Sequence, residues 1–324
     1  VVSRLARTAV VAVGGNALSP AGEPATIANQ FRHTRASLAS IVDFVRHGWN
    51  VAVVHGNGPQ VGDALLRNEC ARDRVSELPL GVLVAATAGW IGYMMQQSLQ
   101  NALARAGVDR DVVTLITQTV VDREDPEGRA PRKFIGRAVS GALVDELRAE
   151  GVVLEADDRG NLRRRVPSPP PEGIVEAPMI RELVSSGHIV IAAGGGGTPV
   201  YHDPALGLEG LDVVVDKDLA AAILAREIRA SVLLILTDID GVYRGWGTVD
   251  RERIERLDLD DARALIDSGE VGKGSMRPKL EAAARFVEEG GERAVIAALE
   301  DAGRAMAGAA GTTIARSDRE DGDA

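Results

Sequence analysis

Aromatic side chains are scarce: phenylalanine, tyrosine and tryptophan make up 3% of the 324 residues. A core without rings must be filled by Val, Leu, Ile and Ala, which suits buried strands and closely packed helices. Cysteine is nearly absent. The single thiol, Cys70, excludes an intrachain disulfide, points to a reducing compartment, and reads as a small apolar residue on a helix. The five histidines, His33, His47, His55, His188 and His202, show no metal-ligand spacing. No Ser/His/Asp or Cys/His grouping stands out. A Gly-x-x-x-x-Gly-Lys-Ser/Thr loop is missing, since Gly272-Lys273-Gly274-Ser275 carries its hydroxyl one place too late. Gly56, Gly58 and Gly62 fail as a dinucleotide fingerprint, with one residue too many before the last glycine. Positive charge is in deficit. The formal net charge of −10 argues against general nucleic-acid or anionic-membrane partners, yet leaves room for a local cationic pocket. The lone cysteine makes the cytoplasm the expected compartment, and Val1–Ala9 has no signal-peptide apolar region. A charge-free stretch between Glu77 and Arg105 is interrupted by Pro79, Gly81, Gly89 and Gly92 and loaded with Gln96, Gln97, Gln100 and Asn101. It predicts a buried helix, one suited to a subunit interface, rather than a membrane span.

What is present alternates. Apolar runs at 9–14, 51–54, 112–117, 189–193, 232–236 and 294–298 predict strands, with helices filling the gaps. In one such gap Phe31, Leu38, Ile41, Val42 and Val45 share a helical face that Gly48 terminates. This rhythm predicts a single α/β domain whose mostly parallel sheet carries helices on both faces. Residues 122–171 break it. They are rich in Arg, Asp, Glu, Pro and Gly, end in Pro167-Ser168-Pro169-Pro170-Pro171, and predict an inserted lid subdomain. The charged stretch 316–324 predicts a disordered tail. No internal repeat is present.

Four glycine-rich turns each end a predicted strand: Gly14-Gly15-Asn16, Gly56-Asn57-Gly58, Gly194 to Gly197, and Asp240-Gly241. Glycine lets backbone approach a phosphate, and the following helix N-terminus favours its charge. Asp216-Lys217-Asp218 follows the apolar run Val213–Val215 and opens a helix. It reads either as a solvated charge cluster or as an aspartate orienting a lysine onto a transferring phosphoryl group. Ser275 is a candidate N-cap for a helix from Leu280 to Val287, with Pro278 in its first turn. Lys279 beside that N-terminus is unfavourable by dipole alone, and a bound phosphate would offset it. With no candidate general base, the acceptor is expected to be an anion already, such as a carboxylate.

Taken together, these segments resemble carbamate kinase of the amino acid kinase superfamily. The stretches that carry the resemblance are VVAVGGNAL (10–18), GEP (22–24), VVHGNGPQVG (53–62), IGYMMQQSLQN (91–101), RRVPSPPP in the insert, IVIAAGGGGTPV (189–200), VVDKDLAAAILA (214–225), LLILTDIDGVY (233–243) and KGSMRPKLEAAARFV (273–287). Ala12 stands where acetylglutamate kinase-like relatives carry lysine. The resemblance implies a three-layer αβα sandwich, a homodimer, and reversible phosphoryl exchange between ATP and carbamate, giving ADP and carbamoyl phosphate. In cells it implies ATP synthesis at the end of a catabolic route such as arginine degradation. Mg²⁺ is expected on the nucleotide phosphates, with no metal held by protein side chains. By the same resemblance, Gly14, Gly15, Asn16, Gly56, Asn57 and Gly58 hold the phosphoryl and carbamate end, with Gly195 and Gly196 beside them. Lys217 and Lys279 neutralise phosphoryl oxygens, Asp216 orients the lysines, and Lys133 reaches down from the lid. Asp238, Asp240, Gly241, Tyr243, Lys273, Ser275 and Met276 line the nucleotide site. Three departures stand out. Phe134 and Arg137 replace two prolines of the family pattern, which predicts a less rigid lid. Thr87-Ala88-Gly89-Trp90 replaces Thr-Gln-Gly-Gln, and Arg277 stands where glycine is common; both bear on acceptor preference. A sister kinase for another small carboxylate or phosphonate, and a nucleotide-binding regulator without turnover, are the competing readings.

Overall fold

The computed structural model describes residues 7–20, 22–126, 128–157, 160–271 and 275–317. Lys273, the stretch 318–324 and the side chain of Asn16 lie outside that set.

The apolar runs assemble into one eight-stranded sheet. Its spatial order is Arg256–Leu257, Thr312–Ala315, Arg293–Ala298, Val232–Thr237, Thr8–Val13, Asn50–His55, Ile189–Ile191 and Val112–Thr114. Every junction is parallel except that between Arg293–Ala298 and Thr312–Ala315. Residues alternate across it. Val10, Ala12, Leu233 and Ile235 enter one apolar cluster, while Ala9, Val11, Val13, Val232, Leu234 and Leu236 enter another. Both faces are therefore buried, which is why these strands read as continuous apolar runs. The helices Lys217–Glu227 and Met276–Glu288 cover the first face, and Ala39–Arg46 and Leu80–Arg105 cover the second. The result is a three-layer αβα sandwich. Alanines 220, 221, 222, 225, 282, 283 and 284 all lie buried in the first cluster, so small side chains fill much of that layer in place of rings.

Several boundaries differ from expectation: the strand at 189–193 ends at Ile191, and the helical stretch from Phe31 to Val45 divides at Leu38 into Ile27–Ser37 and Ala39–Arg46. The strand at 112–117 leaves the sheet after Thr114 because Thr117 is engaged elsewhere. Its hydroxyl accepts from the Ala193 N–H at 2.8 Å, and its carbonyl accepts from the Thr198 N–H at 2.8 Å. The chain then enters a second sheet, ordered Gly207–Gly210, Thr198–Asp203, Gln118–Val121, Pro171–Ile174. The helix expected from Leu280 begins at Met276, because Pro278 falls in the first turn, where its missing N–H has no carbonyl to serve.

The insert leaves along Gln118–Val121 and returns along Pro171–Ile174, which pair antiparallel. Between them lie a three-stranded sheet, ordered Pro131–Ile135, Leu162–Pro167, Leu154–Ala156, and the helix Ala142–Ala149. The charge-free stretch is the helix Leu80–Arg105, buried at Leu83, Val84, Ile91, Met94, Met95 and Leu99. Among the described residues no helix is long and apolar enough to cross a membrane.

Candidate active site

Parallel pairing places the glycine turns at one edge. Val13 lies opposite both His55 and Leu236, and Val53 lies opposite Ile191, so the strand ends that precede each turn stand side by side. Ligands bind outside the carboxyl ends of such strands. The Gly56 N–H donates to the Val13 carbonyl at 2.9 Å. A Cβ on Gly56 would stand 2.7 Å from the Gly15 nitrogen and 3.2 Å from Cδ of Lys217, so only glycine lets the first two turns and the lysine meet. Gly195, at φ 69°, approaches the Asn57 side chain so closely that a Cβ would stand 2.3 Å from Nδ2. Asn57 in turn donates to the Thr87 hydroxyl at 2.9 Å. Gly196 is held by the Thr119 hydroxyl, which donates to its carbonyl at 2.7 Å. Gly58 opens the helix Gly58–Ala71, and Gly14 precedes the short helix Gly15–Leu18.

The charged residues converge at this edge. Asp216 caps the helix Lys217–Glu227, its carboxylate accepting from the Asp218 N–H at 2.8 Å. The second oxygen of Asp216 pairs with Lys133 of the insert. Lys217 pairs with Asp218 Oδ1, and Lys279 with Asp218 Oδ2 at 3.1 Å. The aspartates thus divide the work: Asp216 holds Lys133, whereas Asp218, to which the sequence reading gave no orienting role, holds Lys217 and Lys279. Asp216, Asp218 and Lys279 are buried. Burial opposes ionisation of both carboxyls, but Lys133 at Asp216, and Lys217 with Lys279 at Asp218, hold each below the ordinary carboxylate range. Burial likewise opposes the Lys279 charge, and Asp218 and Asp216 outweigh it, so its pKa is raised. At Lys217 burial prevails over Asp218, with Lys279 adding repulsion, and the pKa is lowered. Lys279 is also anchored by the Ser275 carbonyl at 3.2 Å. Its unfavourable place in the first helical turn is therefore offset within the chain itself, by Asp218.

The strand Val232–Thr237 ends at the other half of the site. Asp238 is exposed, and its charge contributes to raising the Lys279 pKa. Tyr243 donates to Asp240 at 2.8 Å, and this bond raises the phenol pKa. Its ring lies 5.5 Å from that of Trp246, with the Arg251 guanidinium over both. The Gly241 turn is fixed by the Val242 N–H, which donates to the Thr312 hydroxyl at 2.8 Å. Met276 packs against the inner cluster, and Ser275 occupies the N-cap position without a side-chain bond.

The departures from the family pattern make contacts of their own. Phe134 lies under Arg163 and Arg165, at 5.5 and 4.7 Å. Arg137 donates to the Ser19 hydroxyl at 3.0 Å and to Asp63 at 3.4 Å. Arg277 pairs with Glu281 one turn on. Trp90 packs into the cluster of the second face. His55 is fully buried beside the Gly56 carbonyl, and burial pushes its pKa down to about 4. A cavity of about 650 Å³ lined by Arg256, Arg293 and Arg316 lies at the start of Arg293–Ala298, away from the lysines. Among the described residues no group of three His, Cys, Asp or Glu forms a metal cage.

A sheet edge lined with glycine turns and a lysine–aspartate cluster fits a phosphoryl-transfer protein. The chain belongs to the amino acid kinase family, whose model matches residues 7–298. Within it, this is a member of the carbamate kinases. The carbamate kinase of Pyrococcus horikoshii is 41% identical over 94% of this chain and 98% of its own. That of Halobacterium salinarum is 44% identical over 95% and 98%. The structure of carbamate kinase from Giardia lamblia bound to citric acid superposes with a TM-score of 0.91, at 34% identity, covering 96% of this chain and 99% of that one.

Proposed function

We propose that this chain catalyses reversible phosphoryl transfer between ATP and carbamate, and that in the cell it runs towards ATP. The observation that carries the reading is the meeting of Lys133, Lys217 and Lys279 with two buried aspartates beside the paired glycine turns. In the ATP-forming direction an oxygen of the ADP β-phosphate attacks the phosphorus of carbamoyl phosphate. The bond from phosphorus to the carbamoyl oxygen breaks, and carbamate leaves with the electron pair. Attacking and leaving oxygens are both anionic, so no general base is needed. Positioning and charge compensation do the rest.

Gly14, Gly15, Asn16, Gly56, Asn57 and Gly58 cradle the transferring group, with Gly195 packed against Asn57 and Gly196 against Val215 beside them. Lys217 and Lys279 neutralise the equatorial oxygens, and Lys133 adds a third charge from the insert, which acts as a lid. Before substrate arrives, Asp216 and Asp218 hold the lysines in place. Asp238, Asp240, Gly241, Tyr243, Ser275 and Met276 line the nucleotide side. Mg²⁺ would be carried on the nucleotide phosphates, where it would offset their charge. Exposed Val82 and Tyr93 on the helix Leu80–Arg105, with Ile116 nearby in sequence, support a homodimer. A cytoplasmic enzyme feeding on a catabolic route such as arginine degradation is consistent with this chemistry.

The test is ATP formation from ADP, Mg²⁺ and carbamoyl phosphate, followed by luciferase light, with Lys217→Ala as control. Robust turnover that the substitution abolishes supports the reading; equal light from both proteins contradicts the role of Lys217. A second reading, another small carboxylate as acceptor, is favoured by one observation. Ala88, one of the two altered positions in the 87–90 segment, lies against the third glycine turn, where a Cβ on Gly194 would stand 2.9 Å from the Ala88 Cβ. A panel of carboxylates and phosphonates with ATP decides between them.

A further inference from the structure

The insert sits on the body through one face of its sheet. In the antiparallel register Lys133 lies opposite Val166, and Ile135 opposite Arg164. Side chains alternate, so these four share a face, while Phe134 and Arg165 share the other. Ile135 and Val166 close an apolar seam with Val61, Leu83, Val84 and Val214. The two charged members flank the seam. Lys133 reaches Asp216, and Arg164 reaches Glu69 on the helix Gly58–Ala71.

The second contact is well built. Arg164 Nη1 and Nη2 donate to Glu69 Oε1 and Oε2 at 2.6 and 2.9 Å. The side chains are 12% and 16% exposed, so the pair is little screened by solvent and its geometry fixes a direction as well as a distance. Two other pairs link the same helix region to the insert: Arg137 with Asp63, and Arg72 with Glu150. Both are more exposed and contribute little. Arg163 completes the seating, donating to the Gly136 carbonyl at 2.8 and 3.2 Å, while the Gly136 N–H donates to Gly58 at 2.8 Å. Gly58 belongs to the turn assigned to the transferring group. The insert thus touches the reaction centre at two points, Gly136 on Gly58 and Lys133 on Asp216.

We propose that the Glu69–Arg164 pair is a positioning device that seats the insert on the helix Gly58–Ala71 and so delivers Lys133 to the transferring phosphoryl group. The proposal deepens the kinase reading and rests on it for Lys133. Neither residue touches substrate. Both act through the strand that carries Lys133.

The test is a double-mutant cycle of Glu69→Gln with Lys133→Ala, read as kcat for ATP formation, together with hydrogen exchange of the Gly136 amide. Glu69→Gln is expected to lower kcat about 10- to 100-fold, to leave ADP affinity within about 2-fold, and to add nothing in the Lys133→Ala background. The Gly136 amide is expected to exchange faster in the variant. An equal loss with and without Lys133, or an unchanged kcat, overturns the proposal. Arg164→Lys, which keeps the charge and loses the fork, is the second variant should Glu69→Gln fail to fold, and the same outcomes apply. A charge swap, Glu69→Arg with Arg164→Glu, is expected to recover part of kcat. If wild type forms no ATP, the function reading fails, whereas Gly136 exchange still decides whether Glu69 seats the insert.

Discussion

Replacing Asp218 by asparagine removes the one carboxylate that, among the described residues, pairs two site lysines at once. Lys217 and Lys279 are 11% and 10% exposed, so the change leaves two little-solvated ammonium groups side by side, without their shared counter-charge. Breaking one partner out of a buried ion pair costs about 3–5 kcal/mol. Lys217, whose pKa burial already lowers, relieves part of this by shedding its proton, so the lower end of that range is expected. For 324 residues the unfolding entropy is about 0.7 kcal/mol per kelvin, so the melting temperature should fall by about 4 °C. Phosphate oxygens supply the missing negative charge, so saturating Mg-ATP should raise the melting temperature of the variant more than that of wild type. Turnover should nonetheless drop about 30- to 1,000-fold, because the lysines lose the carboxylate that aims them. Melting curves with and without Mg-ATP, beside luciferase-detected turnover, measure all three. A variant melting within a degree of wild type, with no extra gain from nucleotide, refutes the charge argument.

Other expectations bear on different parts of the molecule. His55 is buried neutral with its pKa down at about 4, against an ordinary value of 6.5. Between those values the unfolded chain takes up a proton that the folded chain refuses, so about 3 kcal/mol of stability is lost as pH falls from 6.5 to 4. His55→Gln should flatten that part of the stability–pH curve, as urea melts at several pH values would show. Gly62→Ala would place a Cβ 2.0 Å from the Gly136 Cα, backbone against backbone. Turnover should fall at least tenfold while far-ultraviolet circular dichroism stays unchanged; a fully active variant would show that the contact is dispensable. Gly195→Ala forces a side chain into a left-handed position against Asn57 and should cost about 1–3 kcal/mol of stability, read from thermal melts.

The sheet was legible because strands buried on both faces leave uninterrupted apolar runs, as at Val10–Val13 and Leu233–Leu236. The turns were legible because glycine is demanded where backbones touch, as Gly56 touches Gly15. Pairing was not. Asp216-Lys217-Asp218 offers two carboxylates within three residues, and nothing local says which one meets a lysine 83 residues upstream in the insert or one 61 residues downstream. The orienting role therefore fell to Asp216 alone in the sequence, although Asp218 stands in the same cluster. The split of the strand expected at 112–117 was hidden for a related reason, since Thr117 is drawn off by an Ala193 amide 76 residues away. Phe134 and Arg137 read as loosening the lid when judged only by the prolines they replace; in place they stack on arginines and pair with Asp63 and Ser19.

The proposed reaction is direct transfer of one phosphoryl group between two anionic oxygens. Phosphorus NMR of the chain with ADP, Mg²⁺ and carbamoyl phosphate follows every phosphorus atom at once. Loss of the carbamoyl phosphate signal matched one for one by new ATP γ-phosphate, with inorganic phosphate at the background rate, is the predicted result. Carbamoyl phosphate that persists, or that yields only inorganic phosphate while ADP is bound, contradicts it.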